Sequence, residues 1–68
     1  MVVIHGVNGT TIKCDKSLST EEEGKVMEYV SESIEFGYLG MSQNGIVVRR
    51  RKTNSNNFYA SVNNKDGE

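Results

Sequence analysis

The chain has 68 residues, a net charge of −1, one cysteine and no proline. Those figures leave room for one domain only and exclude a strong overall pull toward nucleic acid or membranes. They also exclude an intramolecular disulfide, since Cys14 stands alone, and a lone thiol fits a reducing compartment. A domain this small buries only about 60% of the surface its unfolded chain exposes, so a homodimer is the expected way to supplement the core. Charge is unevenly placed, with seven acidic residues within 1–35 and a basic run at 49–52.

The opening Met1-Val2-Val3-Ile4-His5-Gly6 is too short an apolar run for a signal peptide and lacks a basic leader. No stretch approaches the apolar length of a membrane span. A soluble, cytoplasmic protein is the expectation.

Residues 2–5 and 10–15 read as two strands around Gly6-Val7-Asn8-Gly9, and Asn-Gly is a strong hairpin signal. A two-residue loop would pair His5 with Ile12. A three-residue loop, Val7 to Gly9 with Gly9 left-handed, would pair Ile4 with Ile12, and is preferred. It puts Val2, Ile4, Ile12 and Cys14 on one face and Val3, His5, Thr11 and Lys13 on the other. A slip of one residue would exchange the faces.

Asp15 to Ser19 links into the clearest element, a helix ending near Gly37. Ser19 with Glu22, or Thr20 with Glu23, forms a reciprocal capping box. Glu21, Glu22 and Glu23 occupy the first turn, where the helix dipole favours negative charge. Val26, Met27, Val30 and Ile34 recur at helical spacing and define a core stripe. Gly37 supplies a left-handed stop. Gly24 weakens the helix by roughly 1 kcal/mol relative to Ala, and could permit close packing.

The outer helix face carries Glu21, Lys25, Glu28, Glu32 and Glu35. Its ordinary reading is a solvated surface; its sharper reading is an acidic docking ridge for a basic partner. Tyr29 and Phe36 lie together on the flank, either as the edge of a wide core face or as an exposed interface pair.

Tyr38 to Met41 reads as a glycine-flanked loop in which Leu39 plugs the end of the core. Asn44-Gly45 then turns into a third strand, Ile46 to Thr53. Alternation sends Ile46, Val48, Arg50 and Lys52 to one side and Val47, Arg49, Arg51 and Thr53 to the other. Phe58 to Val62 is the fourth strand, with Phe58, Ala60 and Val62 toward the helix and Tyr59 and Ser61 away from it. Residues 63–68 are expected to form a frayed tail. The fold expected is α+β: a ββαββ domain over 1–62, a four-stranded antiparallel sheet with one helix on one face.

Catalytic chemistry is hard to assemble. His5 has no identifiable nucleophile partner, Cys14 is expected to be buried, and the carboxylates are mostly solvated. Metal-ligand spacing is missing, and neither glycine pair forms a phosphate loop. No enzyme activity, metal or cofactor is therefore expected.

The most distinctive chemistry is Arg49-Arg50-Arg51-Lys52. Such a run is ordinarily solvated or matched by the helix glutamates. Functionally, arginine forks suit phosphate and carboxylate geometry. The candidate binding set is Lys13, Arg49, Arg50, Arg51, Lys52 and Tyr59. The first expectation is a small non-enzymatic, regulatory interaction module that binds a protein partner through the uncovered sheet face or an edge strand. The alternative is a nucleic-acid-binding protein that uses the basic strand, with Tyr59 stacking a base.

Overall fold

A computed structural model describes residues 1–62; the expected tail at 63–68 lies outside the described residues. The chain forms β1 (Val2–His5), a single 3₁₀ turn (Val7–Gly9), β2 (Thr11–Cys14), α1 (Thr20–Phe36), β3 (Gly40–Gln43), β4 (Ile46–Arg50) and β5 (Asn57–Val62). The five strands make one sheet in the order β1-β2-β5-β4-β3. The α+β class holds. The expected four antiparallel strands do not, because the described residues form five and β2 runs parallel to β5.

The first hairpin has the preferred register. Ile4 faces Ile12 and Val2 faces Cys14. Asn8 and Gly9 take left-handed φ of 57° and 74°, and the loop closes through Gly6 N–H to the Thr10 carbonyl at 3.0 Å. This register fixes which residues of the hairpin reach the core.

The helix begins on Ser19. Its hydroxyl accepts from the Glu22 N–H at 3.1 Å, and Glu22 Oε1 accepts from the Ser19 N–H at 2.9 Å. This pair, rather than Thr20 with Glu23, is the capping box. Gly37 ends the helix with φ 79°, donating its N–H to the Ser33 carbonyl at 2.8 Å.

The extra strand comes from the Asn44-Gly45 turn. Both residues have positive φ, 55° and 77°. That geometry matches the right-handed twist of paired strands and makes a tight two-residue hairpin. Gln43 therefore meets Ile46, and Gly40–Gln43 zips onto β4. The expected loop at 38–41 thus gives half its length to a strand, and Leu39, expected to plug the core, is 51% exposed.

The expected third strand, Ile46 to Thr53, stops at Arg50. A turn follows, closed by the Ser55 N–H to the Lys52 carbonyl at 2.9 Å, with Asn54 at φ 73°. This turn carries β5 back between β2 and β4, pairing Phe58 with Ile12 on one side and Ala60 with Val48 on the other.

Ile12, Cys14, Val26, Tyr29, Val30, Ile46, Val48, Phe58 and Ala60 form the core, with Val2, Ile4, Leu18, Met27, Ile34, Met41 and Val62 half-buried around it. Those on β1, β2, β4 and β5 are residues that alternation sent inward; Met41 lies on β3, where a loop was expected. The flanking aromatics part company: Tyr29 is buried, whereas Phe36 is 60% exposed and lies 5.7 Å from the Tyr38 ring. Gly24 packs against nothing, since a Cβ there would have no neighbour within 4 Å. Among the described residues, no helix is long and apolar enough to cross a membrane.

Candidate functional site

Among the described residues, the helix covers one face of the sheet and no element covers the other. Period-two alternation sends Val3, His5, Thr11, Lys13, Val47, Arg49, Asn57, Tyr59 and Ser61 to that open face. Because β5 is the central strand, Tyr59 sits in the middle of the sheet. Its register partners are Lys13 on β2 and Arg49 on β4. Val3 and Gly40 extend the same row to the two edges. The centre of the open face is thus cation, aromatic, cation on three adjacent strands.

Arg51 adds a third cation one row away. Its N–H donates to the Asn57 carbonyl at 3.2 Å, which continues the ladder past the end of β4. Thr11 lies across from Asn57 on the other side. These groups surround an open cleft of about 440 Å³ lined by Thr11, Lys13, Arg49, Arg51, Asn57 and Tyr59, and bordered also by Arg50 and Phe58. Lys13, Arg49 and Arg51 are exposed, and Tyr59 is 41% exposed. The segment from 36 to 62 holds four cations and no carboxylate, so no acidic side chain of that segment neutralises the face.

The remaining members of the candidate set are placed differently. Arg50 shares the covered face with Val48, in register with Phe58. Its Nε donates to the Ser55 carbonyl at 2.8 Å and its Nη1 to the Ser33 carbonyl at 3.4 Å. The guanidinium also lies over the Phe58 ring, 5.4 Å from its centroid. Ser33 belongs to the last turn of α1, which has no basic residue of its own, so Arg50 supplies the positive charge that a helix C-terminus favours. Lys52 stands exposed in the turn after β4 and does not line the cleft.

Two structural residues escaped sequence reasoning. Ser33 is buried among apolar positions, and its hydroxyl donates to the Tyr38 carbonyl, tying the helix end to the chain leaving it. Ser55 is buried under the turn, where its hydroxyl accepts from the Asn57 N–H at 3.0 Å. A serine one turn before the stop glycine was the available signal for the first; the second had none.

His5 is exposed at the end of β1. Cys14 is fully buried, and burial pushes its thiol pKa up, helped by the nearby Asp15 and Glu23 carboxylates. A thiol held in its neutral form behaves as a small hydrophobe. Among the described residues, no three His, Cys, Asp or Glu side chains are grouped to hold a metal ion. What the site offers chemically is a cationic surface with an aromatic centre and hydrogen-bonding flanks. Comparison of the chain with protein-family models, with curated proteins and with solved structures finds no match in any of the three.

Proposed function

We propose that the protein is a small non-enzymatic interaction module that docks an acidic surface of a protein partner onto its open sheet face. The observation that carries this is the Lys13-Tyr59-Arg49 row at the centre of the sheet face opposite the helix. Tyrosine and arginine are the residue types that anchor protein interfaces, because each combines large contact area with directed polar groups. Val3 and Val47 add apolar contact around them, and Arg51 adds a second fork for a carboxylate. The set suits recognition rather than turnover, since it holds exposed cations and no paired acid and base.

The test is a double charge reversal, Arg49→Glu with Arg51→Glu. Both side chains are exposed, so the circular dichroism spectrum is expected to stay unchanged. Capture of the partner from an extract of the native host is expected to be lost. A partner retained at full strength by the double variant refutes this placement of the site.

A second reading, single-stranded nucleic acid, draws on the same row, since an aromatic between two cations suits a base between phosphates. The two readings separate on salt. Nucleic-acid affinity falls steeply with salt through counterion release. Titration of labelled single-stranded DNA and RNA of mixed sequence at low and high salt decides, and no binding at low salt removes the second reading.

A further inference from the structure

We infer that a second copy of this chain is a partner for the open sheet face, with the outer ridge of its α1 seated on the Lys13-Tyr59-Arg49 row. The inference rests on the reading of that face as a dock for an acidic protein surface, and it names one such surface.

Along the solvent side of α1, at steps of three or four, lie Glu21, Gly24, Glu28, Ser31 and Glu35, all exposed. The pattern is acid, small, acid, small, acid. Acids seven residues apart on a helix are separated by about 10.5 Å at 1.5 Å per residue. On the sheet, Lys13 and Arg49 are two strand spacings apart, about 9.6 Å. A ridge laid across the strands therefore sets two successive glutamates over the two cations. Between them a small residue faces Tyr59, which needs the space that Gly24 or Ser31 leaves. The fold shows no need for glycine at position 24, which is not left-handed and where an added Cβ would meet no atom within 4 Å.

The two charged surfaces cannot satisfy each other within one molecule. They lie on opposite sides of a body whose two shorter extents are 19 and 17 Å. That is about two screening lengths at physiological salt. Nor does a twofold dimer through the open face serve, because it would set Lys13, Arg49 and Arg51 against their own copies. The complementary contact is head-to-tail, with different patches on the two molecules, and such contacts continue into rings or open chains.

Sedimentation at several concentrations, in about 0.1 M and about 1 M salt, reads the mass directly, because screening shortens from about 10 Å to about 3 Å between them. The wild type is expected to rise above 7.6 kDa with concentration at low salt and to return to it at high salt. The sheet variant, Arg49→Glu with Arg51→Glu, and the helix variant, Glu28→Lys with Glu35→Lys, are each expected to stay monomeric alone. Mixed one to one, they are expected to associate, because each then offers what the other lacks. Circular dichroism checks that both fold, and Glu28→Gln with Glu35→Gln provides a neutral helix variant expected to weaken association.

A wild type that stays monomeric, a mixture that stays monomeric, or an assembly that survives in either variant or at high salt overturns the inference. Binding of a labelled glutamate-rich peptide to the wild type is measured alongside. If that peptide binds the wild type and not the sheet variant while the wild type stays monomeric, only the second-copy occupant fails. If neither binding nor association occurs, the reading of the open face fails with it.

Discussion

Arg49 and Arg50 are neighbours in sequence and opposites in role, and replacing each by alanine separates them. Arg50→Ala removes a charge-assisted hydrogen bond to the Ser55 carbonyl, a longer one to the Ser33 carbonyl, and the contact with the Phe58 ring. A hydrogen bond to a charged group is worth about 1.5–3 kcal/mol, and a cation over an aromatic ring about 0.5–1 kcal/mol. The charge at the helix end adds about 0.3–1 kcal/mol. Arg50 is half-buried and the contributions share one side chain, so their net is expected to be about 2–3 kcal/mol rather than their sum. For a domain whose whole stability is of order 0.05–0.15 kcal/mol per residue, that is a large fraction. The midpoint of thermal unfolding is expected to fall by roughly 10–20 °C. Arg49→Ala, on the open face, is expected to change stability by less than about 0.5 kcal/mol. Urea unfolding followed by circular dichroism measures both. Equal losses, or a larger loss for Arg49→Ala, would refute the assignment of Arg50 to the scaffold and Arg49 to the open face.

Three further outcomes follow from the structure. Gly24→Ala is expected to stabilise the protein by about 0.5–1 kcal/mol, because the added methyl meets open space and the unfolded chain loses freedom; a lower urea midpoint contradicts this. Cys14 is expected to react with a thiol reagent at least about 100-fold more slowly in the folded protein than in urea, since reaction must wait for opening. Its raised pKa also sets a pH dependence. The unfolded thiol ionises near its ordinary value of about 8.5, while the folded one keeps its proton to higher pH. The stabilisation is therefore complete below that ordinary value, and is lost as pH rises through the folded pKa. Subtracting the pH profile of Cys14→Ala isolates the slope, and two parallel profiles would exclude it.

Much of the scaffold was legible because local signals agreed. Ser19 with Glu22, the glutamates of the first turn and the valine spacing all named one helix. Asn8-Gly9 named a hairpin, and the apolar alternation chose its register. β3 was missed because Gly40, Ser42 and Gln43 carry little strand preference. What makes them a strand is the Asn44-Gly45 turn folding them onto β4, so the turn held the signal and its upstream half went unread. The parallel pairing of β2 with β5 joins residues more than forty positions apart, and no local pattern encodes it. At the candidate site, Tyr59 beside Arg49 on a neighbouring strand was legible, but Lys13 joins their row only through the parallel pairing. Alternation placed Arg50 with Val48, but the way its guanidinium folds back beneath the helix end depends on the turn at 52–55.

The position of β5 has a consequence for how the chain reaches its final form. Of the five described strands, the one latest in chain order is the middle one of the sheet. Until it arrives, β1–β2 and β3–β4 are two separate two-stranded ribbons, and such ribbons are marginal on their own in water. Cooperative folding of the sheet must therefore wait until β5 has left the ribosome. A chain cut before Asn57 would lose one strand of five and, with it, the connection between the other two pairs.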